Sequence, residues 1–142
     1  MESNEQLIAA LRDELQQYGE MLVLLEQQQA RIVRRAATEI LASVDEINAQ
    51  SAIIKKARQQ RRVCLRNMAE QLRVPRESTL GDLSKSLMPK YQPLVQALLE
   101  ENNRLLLKVR RRARQNHLLL RHSMELMHRF IVSLIPGAPT TV

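Results

Sequence analysis

The sequence predicts an all-α fold, an antiparallel coiled-coil-like bundle of three long helices plus one short helix. The first observation is composition, since the 142 residues include no Trp, one Phe, two Tyr and three Gly. That supplies too few aromatic residues and turn formers for a β-sandwich or a β-barrel. The second is a heptad spacing of apolar residues near the N-terminus, and the third is a set of prolines that separates the later segments. A chain of this length is expected to form a single domain, here residues 1–137, with a disordered tail at residues 138–142.

The first helix is predicted from about residue 4 to residue 35, because apolar or small residues recur there at alternating spacings of three and four. Ser3 or Asn4 is the expected N-cap. The polar Gln29 fills one place in an otherwise apolar series. That series consists of Ile8, Leu11, Leu15, Tyr18, Leu22, Leu25, Ile32 and Ala36.

A second helix is predicted from about residue 39 to residue 72, because the apolar series shifts by one residue after Ile32. Thr38 is its expected N-cap. The alternative is one continuous helix with a stutter, which would be roughly 100 Å long at 1.5 Å per residue. A break near residues 34–38 is preferred, since so long a helix suits a dimeric rod better than a compact chain. The shifted series consists of Val33, Ala37, Ile40, Val44, Ile47, Ser51 and Ile54.

Prolines and a capping motif predict the last two helices. Pro75 disfavours helical geometry at the preceding residue and so ends the second helix. Thr79, with Asp82 three residues later, predicts a capping box at the start of a short helix, which ends before Pro89. Pro93 suits the first position of the final helix, which is predicted to run to Ile135.

The final helix carries an apolar face that is too wide for one neighbour. Between residues 119 and 135 the apolar arc spans about 180°, whereas a surface helix needs only ~100° to dock on a core. The edge formed by Leu119, Leu126 and Phe130 is expected to pack on the core. The edge with methionines is expected to bind a partner, because methionine adapts to different surfaces. The predicted binding residues are Leu120, Met124, Met127, Ile131, Leu134 and Ile135.

The residue types that carry catalysis are sparse and badly placed. Cys64 is the single cysteine, and His117 and His122 lie about 140° apart around a helix. Paired acids adjacent in sequence point in different directions and make poor acid–base dyads. We therefore expect no enzyme activity, no cofactor and no metal. Without a secretory signal or a long apolar run, the chain is expected to be cytoplasmic, with no membrane insertion.

The charge of +7 is unevenly distributed along the chain. Residues 1–50 carry a net charge of −5, residues 51–76 carry +7, and residues 77–142 carry +5. Basic clusters occur at residues 58–62 and 110–114, and we expect them to pair with the acids of the first helix. Phosphate contact and an acidic protein surface remain alternatives for these clusters. No aromatic residue interleaves them for base stacking, so a basic coiled-coil nucleic-acid-binding protein is the alternative function and not the expected one.

The order of these features is similar to that of a known family. The sequence LLEQQ stands at residues 24–28, near the end of the heptad helix, and a basic helix follows it. The short helix carries STLGDL at residues 78–83, and the last helix carries QNHLLL at residues 115–120. Over about residues 5–135 the chain resembles the flagellar type III export chaperones of the FlgN type.

This resemblance implies a cytoplasmic, non-catalytic helical chaperone. Such chaperones bind the C-terminal regions of hook-associated proteins, which form the hook–filament junction, before these clients are exported. They shield the clients from assembly and help deliver them to the export apparatus. The client site of the family lies in the C-terminal helical region, which begins at Asn116 in this sequence.

Overall fold

The structure is a computed structural model that describes residues 2–134. Four helices in chain order confirm the predicted all-α bundle of three long helices and one short helix. The predicted end of the last helix at Ile135 and the tail at 138–142 lie outside the described residues. The helices are α1 (Glu2–Val33), α2 (Ala37–Leu72), α3 (Leu80–Ser84) and α4 (Gln92–Leu134).

The first helix is the centre of the bundle, with α2 antiparallel to it and α4 parallel to it. Asn102 Nδ2 of α4 donates to the Leu11 carbonyl at 3.2 Å, and Asn116 Nδ2 donates to the Leu25 carbonyl at 2.7 Å. Both pairs advance along the two helices together, so α4 keeps one register along α1. The Cα atoms of α2 and α4 do not come within 8 Å of each other. The bundle is therefore held together through α1.

Five positions of the heptad seam predicted for α1 are buried, namely Ile8, Leu11, Tyr18, Leu25 and Ile32. The other apolar or small residues of that series, Leu15, Leu22 and Ala36, are half-buried. A second row of α1 residues is buried as well, because α1 has a neighbouring helix on each of two sides. This row includes two polar residues that the apolar pattern did not select. The row consists of Leu7, Ala10, Glu14, Met21 and Gln28.

A tight corner joins α1 to α2, as predicted. Arg35 adopts the left-handed conformation with φ 58°, and the amide of Ala36 donates to the Arg31 carbonyl at 3.0 Å. This return bond ends α1 and lets α2 start at once at Ala37. The predicted Thr38 cap is therefore wrong, since Thr38 already lies inside the first turn. The cap predicted at Ser3 or Asn4 is wrong for the same reason, because α1 already includes both residues.

The capping box of α3 is confirmed. Thr79 Oγ1 accepts from the Asp82 amide at 3.2 Å, and the Thr79 amide donates to Asp82 Oδ2 at 3.3 Å. The short helix turns the chain back towards α4, where Pro93 lies in the first turn. Its buried Leu80 and Leu83 belong to the same hydrophobic core as residues of α1, α2 and α4.

The face that α2 buries against α1 is not the apolar series predicted for it. Ser43 and Gln50 are buried there, whereas Ile40, Ile47 and Ile54 are only half-buried. Two cross-helix hydrogen bonds account for the difference. Ser43 Oγ accepts from Gln28 Nε2 at 3.1 Å, and Gln50 Nε2 donates to Gln17 Oε1 at 2.8 Å. Polar groups that satisfy each other across the seam took the positions expected for isoleucines, since buried polar groups need partners.

Replacing Arg73 with Gly should stabilise the chain. Arg73 ends α2 in the left-handed conformation with φ 54°, where glycine avoids the steric cost of a Cβ atom. We expect the free energy of unfolding in urea to rise by about 0.5 to 1 kcal/mol. The nearby exposed Arg76→Gly is the control and should not raise it. A lower stability of Arg73→Gly would mean that the arginine side chain itself holds this corner.

Candidate functional site

The last helix extends beyond the hairpin formed by α1 and α2. The register set by Asn102 against Leu11 and by Asn116 against Leu25 places Val33, the end of α1, level with about residue 124 of α4. The segment from about residue 125 to Leu134 therefore continues past the corner. At 1.5 Å per residue this segment extends roughly 15 Å. It has no neighbouring helix among the described residues.

Large apolar side chains on this part of α4 are exposed. Met124 is 64% exposed, Met127 60%, Ile131 49% and Leu134 63%. Contiguous exposed apolar surface is typical of interaction sites, so these side chains form the candidate site. We name the exposed apolar residues within the arc of this part of α4 the distal surface. They are Leu119, Met124, Leu126, Met127, Ile131 and Leu134, whereas the exposed Leu118 lies on the opposite side of α4.

Of the six predicted binding residues, four belong to the distal surface, Leu120 is half-buried, and Ile135 lies outside the described residues. The expectation that the opposite edge packs on the core is not met, because Leu119 is 37% exposed and Leu126 is 40% exposed. Leu126 lies past the end of the hairpin, whereas Leu119 lies beside α1, level with about residue 28. The side chain of Phe130, the third residue of that edge, is outside the described part of the structure. The width of the arc could be read from the sequence, whereas the length of the hairpin beside it could not.

Some of the basic residues pair with acids of α1, as expected. Arg61 Nη1 lies 3.3 Å from Glu14 Oε2, and Arg112 Nη2 lies 4.0 Å from Glu26 Oε1. Arg112 also donates to Gln29 Oε1. These pairs tie α2 and α4 to two different sides of α1. Arg110 and Arg114 are exposed and point away from these contacts.

A comparison of the sequence with protein-family models identifies the family of this chain. The family model described as FlgN protein matches residues 1–140. This chain belongs to the FlgN protein family. The FlgN proteins are flagellar export chaperones, so the chain has a chaperone role in flagellar protein export. No curated protein and no solved structure matched the chain.

A buried polar cluster holds the centre of this FlgN chain. Glu14 is 0% exposed, and its Oε1 accepts from the Tyr18 hydroxyl at 3.2 Å while Arg61 lies against Oε2. Burial, reinforced by the negative charge of Glu14, raises the pKa of the Tyr18 hydroxyl above its usual value of 10.0. Arg58 and Arg61 lower this pKa in part. The cluster fixes how α2 lies on α1 and is remote from the distal surface.

The raised pKa of Tyr18 predicts a loss of stability at alkaline pH. Folding disfavours ionisation of this hydroxyl. The stability that the neutral hydroxyl contributes is therefore complete below pH 10 and is lost as the pH rises through the pKa of the folded state. Urea unfolding at pH 8 and pH 11 should show a smaller drop for Tyr18→Phe than for the unaltered chain. Tyr91→Phe, which keeps Tyr18, is the control and should retain the full drop. Equal drops in all three proteins would contradict this prediction.

The cysteine of α2, Cys64, is buried against α1. Burial raises the pKa of the Cys64 thiol, and its Sγ lies 3.7 Å from the Gln6 carbonyl. No group of three or more His, Cys, Asp or Glu side chains in the described part of the chain could hold a metal ion. None of the helices within residues 2–134 is long and apolar enough to cross a membrane.

Proposed function

We propose that this FlgN protein is a cytoplasmic chaperone that binds the C-terminal regions of hook-filament junction proteins and shields them before export. The observation that supports the proposal is the distal surface, where apolar residues of α4 extend past the hairpin and stay exposed. Membership of the family supplies the export role. The proposed binding residues are Leu120, Met124, Met127, Ile131, Leu134 and Ile135.

The proposed mechanism is shielding by helix packing. An amphipathic helix of the client lays its apolar side chains on the distal surface, which is a common mode of peptide recognition. Each anchor that becomes well buried contributes about 1.5 to 3 kcal/mol before ordering costs. Four or five anchors of this size give an affinity sufficient for the chaperone to hold its client. The covered client helix is then unable to assemble until the export apparatus removes it.

Calorimetric titration of the full chain tests the proposal. One cell receives a fragment containing the C-terminal region of a hook-filament junction protein from the same organism, and another receives a filament or cap protein fragment of similar length. We expect saturable binding of the junction fragment and at least tenfold weaker binding of the other. Equal affinities, or no binding of the junction fragment, would contradict the proposed client class.

A nucleic-acid titration separates the alternative function. Duplex DNA and RNA at two salt concentrations should give no tight binding, because Arg61 and Arg112 are already paired with acids of α1. Strong binding that falls steeply with salt would instead favour the hypothesis of a nucleic-acid-binding protein, since phosphate contacts release counterions.

A further inference from the structure

The bundle has one side on which α2 and α4 flank α1 without meeting. On α1, the side chain of Gln17 faces α2 and those of Glu26 and Gln29 face α4, while the buried Gln28 contacts Ser43 of α2 and Asn116 of α4. At 100° per residue the direction of Gln17 and the mean direction of Glu26 and Gln29 are about 150° apart. Tyr18 and its buried neighbours occupy the arc between them. We call this side of the bundle, between α2 and α4, the front face.

Apolar stripes from the two flanking helices line the front face. The antiparallel pairing with α1 places Ile40, Ile47 and Ile54 of α2 on this side at about 100° per residue. They are half-buried, and Val44 beside them is 38% exposed. The same estimate places Leu106 and Leu120 of α4 opposite them, both half-buried. These side chains are neither sealed in the core nor fully in water.

The front face continues directly into the distal surface. Leu106, Leu120, Met124 and Ile131 fall within about 40° of one another around α4. From the level of Ile54 to the end of the described helix, the continuous stripe is about 40 Å long. A single helix lying along it would cover both the stripe and the methionine edge of the distal surface.

Cations line the margins of the front face. Lys55 and Arg62 of α2 and Arg110 and Arg114 of α4 are exposed, and at 100° per residue all four lie on this side. The described carboxylates of α1 other than the paired and buried Glu14 point elsewhere. Glu5, Asp13 and Glu20 lie on the opposite side of α1, about 140° to 180° from Tyr18. The basic clusters at residues 58–62 and 110–114 are therefore only partly used within the chain.

We infer that the front face binds an acidic amphipathic helix of a partner protein, laid along the bundle as a continuation of the distal surface. This inference rests on the proposed function for the identity of the partner as a client. Its apolar side meets the isoleucine and leucine stripes, and its carboxylates meet the cations at the margins. Like charges would repel a basic helix from the same position. A second copy of the chain does not supply such a helix, because the exposed side of the acidic α1 is polar along most of its length.

Two synthetic peptides test the charge preference without any client. Both are helical 25-residue peptides with the same leucines at heptad positions, one with Glu and the other with Lys at most remaining positions. At 50 mM salt we expect the Glu peptide to bind at least tenfold tighter than the Lys peptide, with an affinity that falls as salt rises. Equal binding of the two peptides, or tighter binding of the Lys peptide, would overturn the inference.

Charge reversal then locates the binding to the front face. The test variant is Lys55→Glu, Arg62→Glu, Arg110→Glu and Arg114→Glu together, and it should bind the Glu peptide at least thirtyfold more weakly at low salt. The control reverses four exposed cations outside the front face, Arg12, Lys56, Lys108 and Arg111, and should retain binding within a few-fold. Normal binding by the test variant would overturn the assignment. Circular dichroism melts check that both variants remain folded.

A titration with the junction-protein fragment separates the two proposals. If the unaltered chain fails to bind that fragment, the proposed client class is wrong. The peptide experiments still decide whether the front face binds an acidic helix. If the unaltered chain binds the fragment and the test variant binds it equally well, the front face does not contact the client. A loss of at least tenfold in the test variant at low salt supports both.

Discussion

Changing Met124 and Ile131 to Asp together should abolish client binding and leave the bundle folded. Both side chains are exposed, Met124 at 64% and Ile131 at 49%, so the unbound chain loses little when they become polar. In the complex each is expected to be a buried anchor worth about 1.5 kcal/mol or more. Losing both lowers the affinity more than about 100-fold, and a carboxylate in the interface adds a desolvation cost. The measurement is calorimetric titration with the junction-protein fragment.

The matched control uses two apolar residues on the other side of the same helix. Leu107 is 58% exposed and Leu118 is 52% exposed, and Leu107→Asp with Leu118→Asp should bind the client within a few-fold of the unaltered chain. Normal binding by the Met124 and Ile131 variant, or a loss in both variants alike, would show that the methionine edge is not the client site. Circular dichroism melts should stay cooperative in both.

A further variant distinguishes the two edges of the distal surface. Leu119→Asp with Leu126→Asp would unfold a chain in which that edge packs on the core. Since both side chains are more than a third exposed, we expect this variant to melt cooperatively. A non-cooperative melt would indicate that this edge packs on the core after all.

Replacing Arg61 with Met should destabilise the chain by about 3 kcal/mol. This is the largest effect on stability that we expect from a single substitution in the buried polar cluster. The reason is Glu14, which is 0% exposed and has the Arg61 guanidinium at 3.3 Å. Removing one partner of a buried ion pair leaves an uncompensated charge in the interior. The free energy of unfolding in urea at pH 7 measures the effect.

The double variant Glu14→Leu with Arg61→Met should recover most of the lost stability, because it removes both charges at once. Arg62→Met, at an exposed neighbouring position, should change stability by no more than about 0.5 kcal/mol. If Arg61→Met matches this control, water rather than the guanidinium compensates Glu14. If the double variant is as unstable as the single one, the loss comes from packing of the arginine stem.

Local features of the chain were predictable from the sequence because their causes lie within a few residues. The α3 capping box needs only Thr79 and Asp82, and the end of α2 follows from Pro75. The seam of α1 was predictable too, since its apolar period is uninterrupted except at Gln29.

The burial of Glu14, Ser43 and Gln50 was decided only by the tertiary structure. Each is a polar residue whose burial depends on a partner far away in the chain, namely Arg61, Gln28 and Gln17. A pattern read along one helix favours the isoleucines for the seam, because it contains no information on the polar groups of the helix opposite. The half-exposed isoleucines of the front face are the consequence.

The sequence by itself determined the all-α bundle, its breaks and the excess width of the apolar arc on the last helix. These follow from periodicity and local capping, which act within one segment. The tertiary structure decided which part of that arc stays uncovered, because exposure depends on where the α1–α2 hairpin ends relative to α4. The register of Asn102 on Leu11 and of Asn116 on Leu25 fixes that relation. Leu126 on one edge of the arc and Ile131 on the other both lie past the end of the hairpin and are exposed for this reason.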